Sequence, residues 1–443
     1  MADWRNLSAA DLGRGIASGG IDPVDLAEAF LDAIAAHPEA ARIYARTTPD
    51  RARAEARAAS DRARAGQRRH ALDGVPLSWK DNVDTAGIAT EGGSALLAGR
   101  VPGADAEVLA SATHQGAVCL GKTHLSELAF SGLGLNPVTA TPPNANDPRA
   151  VPGGSSSGAA ASVAFGLAPA GVGSDTGGSV RIPAAWNDLV GLKTTLGRVS
   201  ARGILPLAES FDTVGPLTRT VEDAALMLSL LEGRKPADLG GAGLAGARLL
   251  VLETAAFDGI RDTPAAAFEA AATRLEAAGA TLVRAGVPAV AEALDLSAIL
   301  FSTEAYAIWR ETIEAAPGRM FPPILDRFRG GAGFTGADYV AAWRHLRTLR
   351  GAYAEATAGV DAVILPTAPN LPPDAARLAA ETDYYVAENL LTLRNTRIAN
   401  LLGLCALTLP TGTPSCGLML MAAPFAEERL LRLGAAAERA LRP

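Results

Sequence analysis

GGSSSGAAASVAFGLAPAGVGSDTGGSVRIP, residues 153–183, carries six serines and two Gly-Gly-Ser triplets, Gly153-Gly154-Ser155 and Gly177-Gly178-Ser179. Glycine in regular structure costs roughly 0.5–1 kcal/mol per site relative to alanine. Such clustering is expected where a backbone approaches something closely or holds dihedrals that other residues avoid. Between the triplets, SGAAASVAFGL reads as a helix whose small side chains suit close packing.

Working outward, the flanking sequence alternates. From LDGVPLSWKDNVDTAG (72–87) onward, short apolar strands exchange with helices and glycine turns. AVCLGK reads as a buried strand, LVGLKTTLGRVS as strand and turn, and TVEDAALMLSLLEG as a capped helix stopped by Gly233. Residues 247–285 form a βαβ pattern, and DAVILPTAP and CALTLPTG are late strands. The segment 1–66 reads as helices, with Asp22-Pro23 and Thr48-Pro49-Asp50 as start signals. The whole predicts one large α/β domain with helices on both sides of a sheet. LEGRKPADLGGAGLAG reads as a long surface loop within it.

Composition narrows the function. The 443 residues are 49% hydrophobic with a net charge of −7, so nothing draws this surface to nucleic acid or anionic lipid. The longest apolar runs fall far short of the roughly 18 residues of a spanning helix. The start MADWRNLSAADLGRG lacks the order of a signal peptide. Three cysteines, Cys119, Cys405 and Cys416, without a CxxC pair point to a reducing compartment and away from a disulfide framework or zinc site. A cytoplasmic protein is expected. Lysine occurs only at 80, 122, 193 and 235, against 36 arginines among the 40 basic residues. A retained lysine therefore suggests a need for an amine that can lose its proton.

Three motifs compete. GAVCLGKT (116–123) matches the phosphate-loop expression, but a helix precedes it and Ala117 to Leu120 look like strand, the reverse of the required context. GSSSG (154–158) matches a nucleophile elbow around Ser156, but a proline-bearing loop precedes it and only His345 follows. The third reading joins the triplets to Lys80 of VPLSWKDNV. Glycines before Ser179 free backbone amides for an oxyanion hole. A buried Lys80 would lose its proton readily and serve a serine relay as base.

These stretches resemble the amidase signature family. The likeness runs through GVPLSWKDNVDTAG, GAVCLGKTHLSELAFSG and GLKTTLGRVSARGILPLAESFDTVGPLTRTVEDAA, is strong from about 70 to 232, and is weak from 236 to 385. It implies a central mixed sheet of about ten strands covered by helices on both faces, in a single domain spanning 1–443. It implies Ser179 as nucleophile, Ser155 as the bridging serine after a cis peptide, and Lys80 as base. The amides of Thr176, Gly177, Gly178 and Ser179 would form the oxyanion hole, and Ser131 and Gly132 would border the substrate. No metal or cofactor is implied.

The implied reaction is cleavage of carboxylic amides through an acyl-enzyme, with esters and carbamates (urethanes) as further carbonyl substrates. The alternative is the subunit of a tRNA-dependent amidotransferase. Asp175 and Arg181 are expected to form a structural ion pair, with Arg181 binding a carboxylated substrate as the alternative, and Trp79 and Trp186 are divided between pocket and core. Nine of the 22 aromatic residues lie between 301 and 353, which favours apolar or aryl amides over small acidic ones such as malonamate. Expected partners are a small-molecule substrate, neither nucleic acid nor membrane, with a homodimer allowed.

Overall fold

The computed structural model describes residues 4–442. Eleven strands form one mixed sheet: β1 (Tyr44–Thr47), β2 (Pro76–Lys80), β3 (Val118–Thr123), β4 (Ala170–Asp175), β5 (Val190–Lys193), β6 (Thr213–Thr218), β7 (Arg248–Leu252), β8 (Thr281–Ala285), β9 (Ala362–Pro366), β10 (Cys405–Pro410) and β11 (Gly417–Ala422). Their order is β1-β3-β2-β4-β6-β5-β10-β11-β9-β7-β8. β2 runs parallel to β3 and β4, and β7 runs parallel to β8 and β9. The remaining pairs are antiparallel.

Side-chain alternation assigns the two faces. Leu249, Val251, Leu407, Leu409, Leu418 and Leu420 belong to one buried cluster, which also takes residues from the helices Pro23–Ala36, Val221–Glu232, Asp262–Ala277 and Glu427–Leu441. Their neighbours Leu250, Leu252, Met419 and Met421 point the other way, into a cluster with the helices Ser297–Ala315, Gly336–Thr357 and Thr382–Leu401. Because both faces are covered, the strands read as continuous apolar runs.

β4, AGVGSD, is buried throughout. A Cβ on Gly171 would lie 3.0 Å from the Ala159 carbonyl oxygen, so the absence of side chains lets the helix Ser157–Ala164 close onto the strand. The expected βαβ unit is present as β7, the helix Asp262–Ala277 and β8. The all-helical reading of segment 1–66 is corrected at β1, a short edge strand, YART, paired with β3. So short a segment, with one buried apolar side chain, carries no alternation, and only the partner strand makes it extended. No helix among the described residues is long and apolar enough to cross a membrane.

Leu407 lies in β10, fully buried in the middle of the sheet. Leu407→Ala is expected to cost about 2–5 kcal/mol through lost burial and the cavity left behind, measured as a lower urea midpoint at unchanged slope.

Candidate active site

Lys80 ends β2 and Ser174 is the penultimate residue of β4, and the parallel pairing of these strands brings both to one edge of the sheet. That edge, outside the carboxyl ends of parallel strands, is where α/β sheets place ligands. Lys80 is fully buried. Its Nζ donates to Ser155 Oγ at 2.7 Å and to Ser174 Oγ at 2.9 Å, with the Ser174 carbonyl oxygen at 3.4 Å. Asn82 Nδ2 also donates to Ser174 Oγ, at 3.0 Å. Burial pushes the Lys80 amine down to about 7, with the charges of Asp175 and Asp212 pulling the other way.

Ser155 precedes the helix Ser157–Ala164, and the Gly154–Ser155 peptide is cis. The Ser156 amide donates to the Ser179 carbonyl at 3.1 Å, which ties the two serine segments together. Ser179 follows β4 through a turn built on Asp175. That carboxylate accepts from the amides of Gly178 (2.8 Å) and Val180 (3.1 Å), and from Arg181 through Nε (3.0 Å) and Nη2 (2.9 Å). Asp175 and Arg181 are both fully buried, so the expected structural ion pair is present. Burial raises the Asp175 carboxyl, but Arg181, Lys193 and Asn400 outweigh it and hold the group well below the usual carboxylate range.

The turn is also clamped from the helix Thr382–Leu401. Thr396 Oγ1 donates to the Gly177 carbonyl at 2.8 Å, and Arg181 Nη1 donates to the Thr396 carbonyl at 2.8 Å. Gly178 has φ +138°, and a Cβ there would lie 2.1 Å from Thr396 Oγ1, so no other residue fits. One expectation is corrected here. The Gly178 amide is taken by Asp175, so it is not free to serve an oxyanion. The amides of Thr176, Gly177 and Ser179 have no protein acceptor among the described residues.

Ser179 opens on a narrow cavity of about 20 Å³, lined also by Phe130, Ser131, Phe301, Arg327 and Arg397. A larger cavity of about 500 Å³ lies near Lys193 and Phe211, but Lys80, Ser155 and Ser179 are not on its wall. We therefore place the candidate site at the smaller one. Ser131 reaches the cavity, and its Oγ donates to Asn389 Oδ1 at 3.2 Å. Gly132 does not: it packs behind the wall, where a Cβ would lie 2.6 Å from Leu393.

Other candidates fall away. Trp79 and Trp186 are core residues off the cavity wall. Gly121-Lys122-Thr123 lies in β3, with Lys122 paired to Asp81 at 3.2 Å, so this segment forms no phosphate loop. Ser156 Oγ donates to the Ser174 carbonyl, and His345 sits at the surface beside Glu292. Of the aromatic residues between 301 and 353, only Phe301 lines the cavity. Others pack, as in the stack of Trp343 on Phe211. Ser174, Asn82, Arg327 and Arg397 join the site without having been singled out by any motif. Asn82 stands two residues from Lys80, a spacing that a strand end makes meaningful, whereas Arg327 and Arg397 resemble any helical arginine until the helices are placed.

A family model described as Amidase matches residues 25–431. The chain belongs to the amidase signature family. Among curated relatives, it is 38% identical to a 2-amino-5-chloromuconic acid deaminase from Comamonas testosteroni, over 83% of this chain and 81% of that one. It is 32% identical to a glutamyl-tRNA(Gln) amidotransferase subunit of Chloroflexus aurantiacus, over 99% and 97%. The peptide amidase of Stenotrophomonas maltophilia superimposes with a TM-score of 0.83 at 29% identity, covering 99% of this chain and 98% of that one. This amidase-family chain is accordingly an enzyme that hydrolyses carbon–nitrogen bonds of small-molecule amides.

Arg181→Met should leave Asp175 charged, buried and stripped of its cation. The expected loss is about 3–5 kcal/mol of stability, measured by urea unfolding.

Proposed function

We propose that the protein hydrolyses carboxylic amides through an acyl-enzyme on Ser179, with Ser155 and neutral Lys80 as its proton relay. The observation that carries this reading is the 2.7 Å contact between a fully buried lysine and Ser155, beside the turn that presents Ser179. A neutral amine has one lone pair and two N–H groups. The charged amine donates to Ser155 Oγ; once neutral, it would instead accept from the Ser155 hydroxyl through its lone pair and keep both hydrogens for Ser174 Oγ and the Ser174 carbonyl.

In this scheme Lys80 takes the Ser155 proton as Ser155 takes that of Ser179, and Ser179 Oγ bonds to the substrate carbonyl carbon. Charge on the carbonyl oxygen is met by the free amides of Thr176, Gly177 and Ser179. The C–N bond breaks as the proton returns through Ser155 to the leaving amine. Water then attacks the acyl ester, releasing the acid and restoring the Ser179 hydroxyl. Esters and carbamates offer the same planar carbonyl and fit the same sequence of steps. The preference for apolar or aryl amides loses its support, because the aromatic rings that suggested it lie almost entirely off the cavity wall.

A second reading, membership of an amidotransferase complex, is favoured by the end-to-end match to the Chloroflexus aurantiacus relative. Gel filtration coupled to an ammonia-release assay separates the two: a lone chain that turns over amides is not an obligate subunit.

Ser179→Ala is expected to reduce kcat by roughly 10⁴-fold or more, read as ammonia release, and full activity in that variant would overturn the assignment. The pH profile follows from Lys80. Its protonated form is inactive, so kcat/KM should fall tenfold per unit below about pH 7 and level off above it. A flat profile from pH 5 to 9 would remove Lys80 as the base.

A further inference from the structure

The wall of the cavity at Ser179 carries two arginines and no acid. Arg397, on the helix Thr382–Leu401, is 8% exposed and makes no hydrogen bond or ion pair with any described residue. Its stem lies over the nucleophile turn, with Cγ 3.5 Å from where a Cβ on Gly177 would stand. Arg327, on the helix Pro322–Arg329, gives one of its five N–H donors to the Phe130 carbonyl at 2.7 Å, and its guanidinium carbon sits 4.2 Å from the centre of the Phe130 ring. Its other four donors have no acceptor among the described residues.

This arrangement is unfavourable for a resting protein. Removing a charge from water without a partner costs several kcal/mol, and here two like charges share one small space. Burial pushes Arg397 down to about 9, with the charge of Arg327 adding to the effect. The neighbouring acids are committed elsewhere. Asp212 accepts from Thr176 and from the amides of Leu207 and Ala208, Glu127 from Ser94 and the Phe321 amide, and Glu388 from Arg261 and Asn370. By contrast, Arg181 has Asp175, Arg198 has Glu232 and Glu427, and the partly buried Arg219 and Arg350 give their donors to backbone carbonyls.

We propose that Arg397 and Arg327 bind a carboxylate carried on the acyl part of the substrate, so that the enzyme cleaves monoamides of short dicarboxylic acids. The inference rests on the hydrolase reading given above. Guanidinium groups match a carboxylate in geometry as well as charge. The cavity is narrow, which restricts the acyl part to a short chain held between Ser179 and the two cations. Phe130, Phe301 and Leu393 shield the space between them.

The test has a catalytic arm and a binding arm. In the first, kcat/KM is measured for malonamate, succinamate, glutaramate and adipamate beside the neutral fatty amides of equal chain length. At least one anionic member should exceed its neutral partner by roughly 10²-fold, and Arg397→Met or Arg327→Met should shrink that ratio at least tenfold. In the second, binding of the matching dicarboxylates and monocarboxylates to Ser179→Ala is measured by calorimetry, with Arg397→Lys as a milder variant should the methionine form fail to fold. Dicarboxylates should bind more tightly than monocarboxylates, and the arginine variants should weaken them selectively. Neutral amides turned over as well as anionic ones, with equal binding of mono- and dicarboxylates, would overturn the carboxylate site and leave the hydrolase standing. Tight, arginine-dependent dicarboxylate binding with no amide turnover would support the anion site and overturn the hydrolase reading.

Discussion

Asp175 holds the molecule together at the place where chemistry is expected. One carboxylate ends β4, fixes the Gly178 and Val180 amides, and pairs with Arg181. Arg181 in turn reaches the Thr396 carbonyl and Asn400 Oδ1, so the charge pair joins the nucleophile turn to a helix from the far end of the chain. The sheet, the turn and the helix Thr382–Leu401 therefore cannot shift independently. Because that same helix bears Arg397, the pair also sets where the cavity's cation stands relative to Ser179. Buried ion pairs contribute modestly to net stability, but they fix geometry where a half-made pair is costly.

Four cations show how partners decide what burial does. Arg181 finds an acid and becomes a clamp. Lys122 pairs with Asp81 and donates to Thr90 inside the sheet. Lys80 faces only hydroxyls and a carbonyl, so its charged form loses hydration without full compensation and the amine falls to about 7. Arg397 has neither acid nor hydroxyl, and a guanidinium cannot readily shed its proton. Deprotonation is open to the lysine, whereas the arginine's charge is left for whatever enters the cavity.

Much of this was legible in the sequence because local rules and tertiary context agree there. The strand AVCLGK, the βαβ unit at 247–285 and the glycine-framed serines each carry their signal within a few residues. β1 was not legible, since YART becomes a strand only beside β3. Ser155 and Lys80 stand out by residue type and neighbours, and they meet in space. Gly178 shows the limit: its glycine announced a special backbone, but not that Asp175 would take the amide. The aromatic-rich segment misled for a related reason. Hydrophobic content says that a surface is buried, not what it is buried against, and Trp343 went to Phe211 while the two arginines took the cavity wall.

The strand order also bears on how such a chain is made. β10 and β11 come late in sequence yet occupy the middle of the sheet, where β10 joins β5 and β11 joins β9. Until residues 405–422 leave the ribosome, β5 presents a bare edge and the two halves of the sheet have nothing to bridge them. A nascent chain of this topology waits, open-edged and prone to wrong pairing, for a segment that acts as a keystone. How soon residues 405–422 follow β5 thus bears on yield alongside the stability of the finished fold.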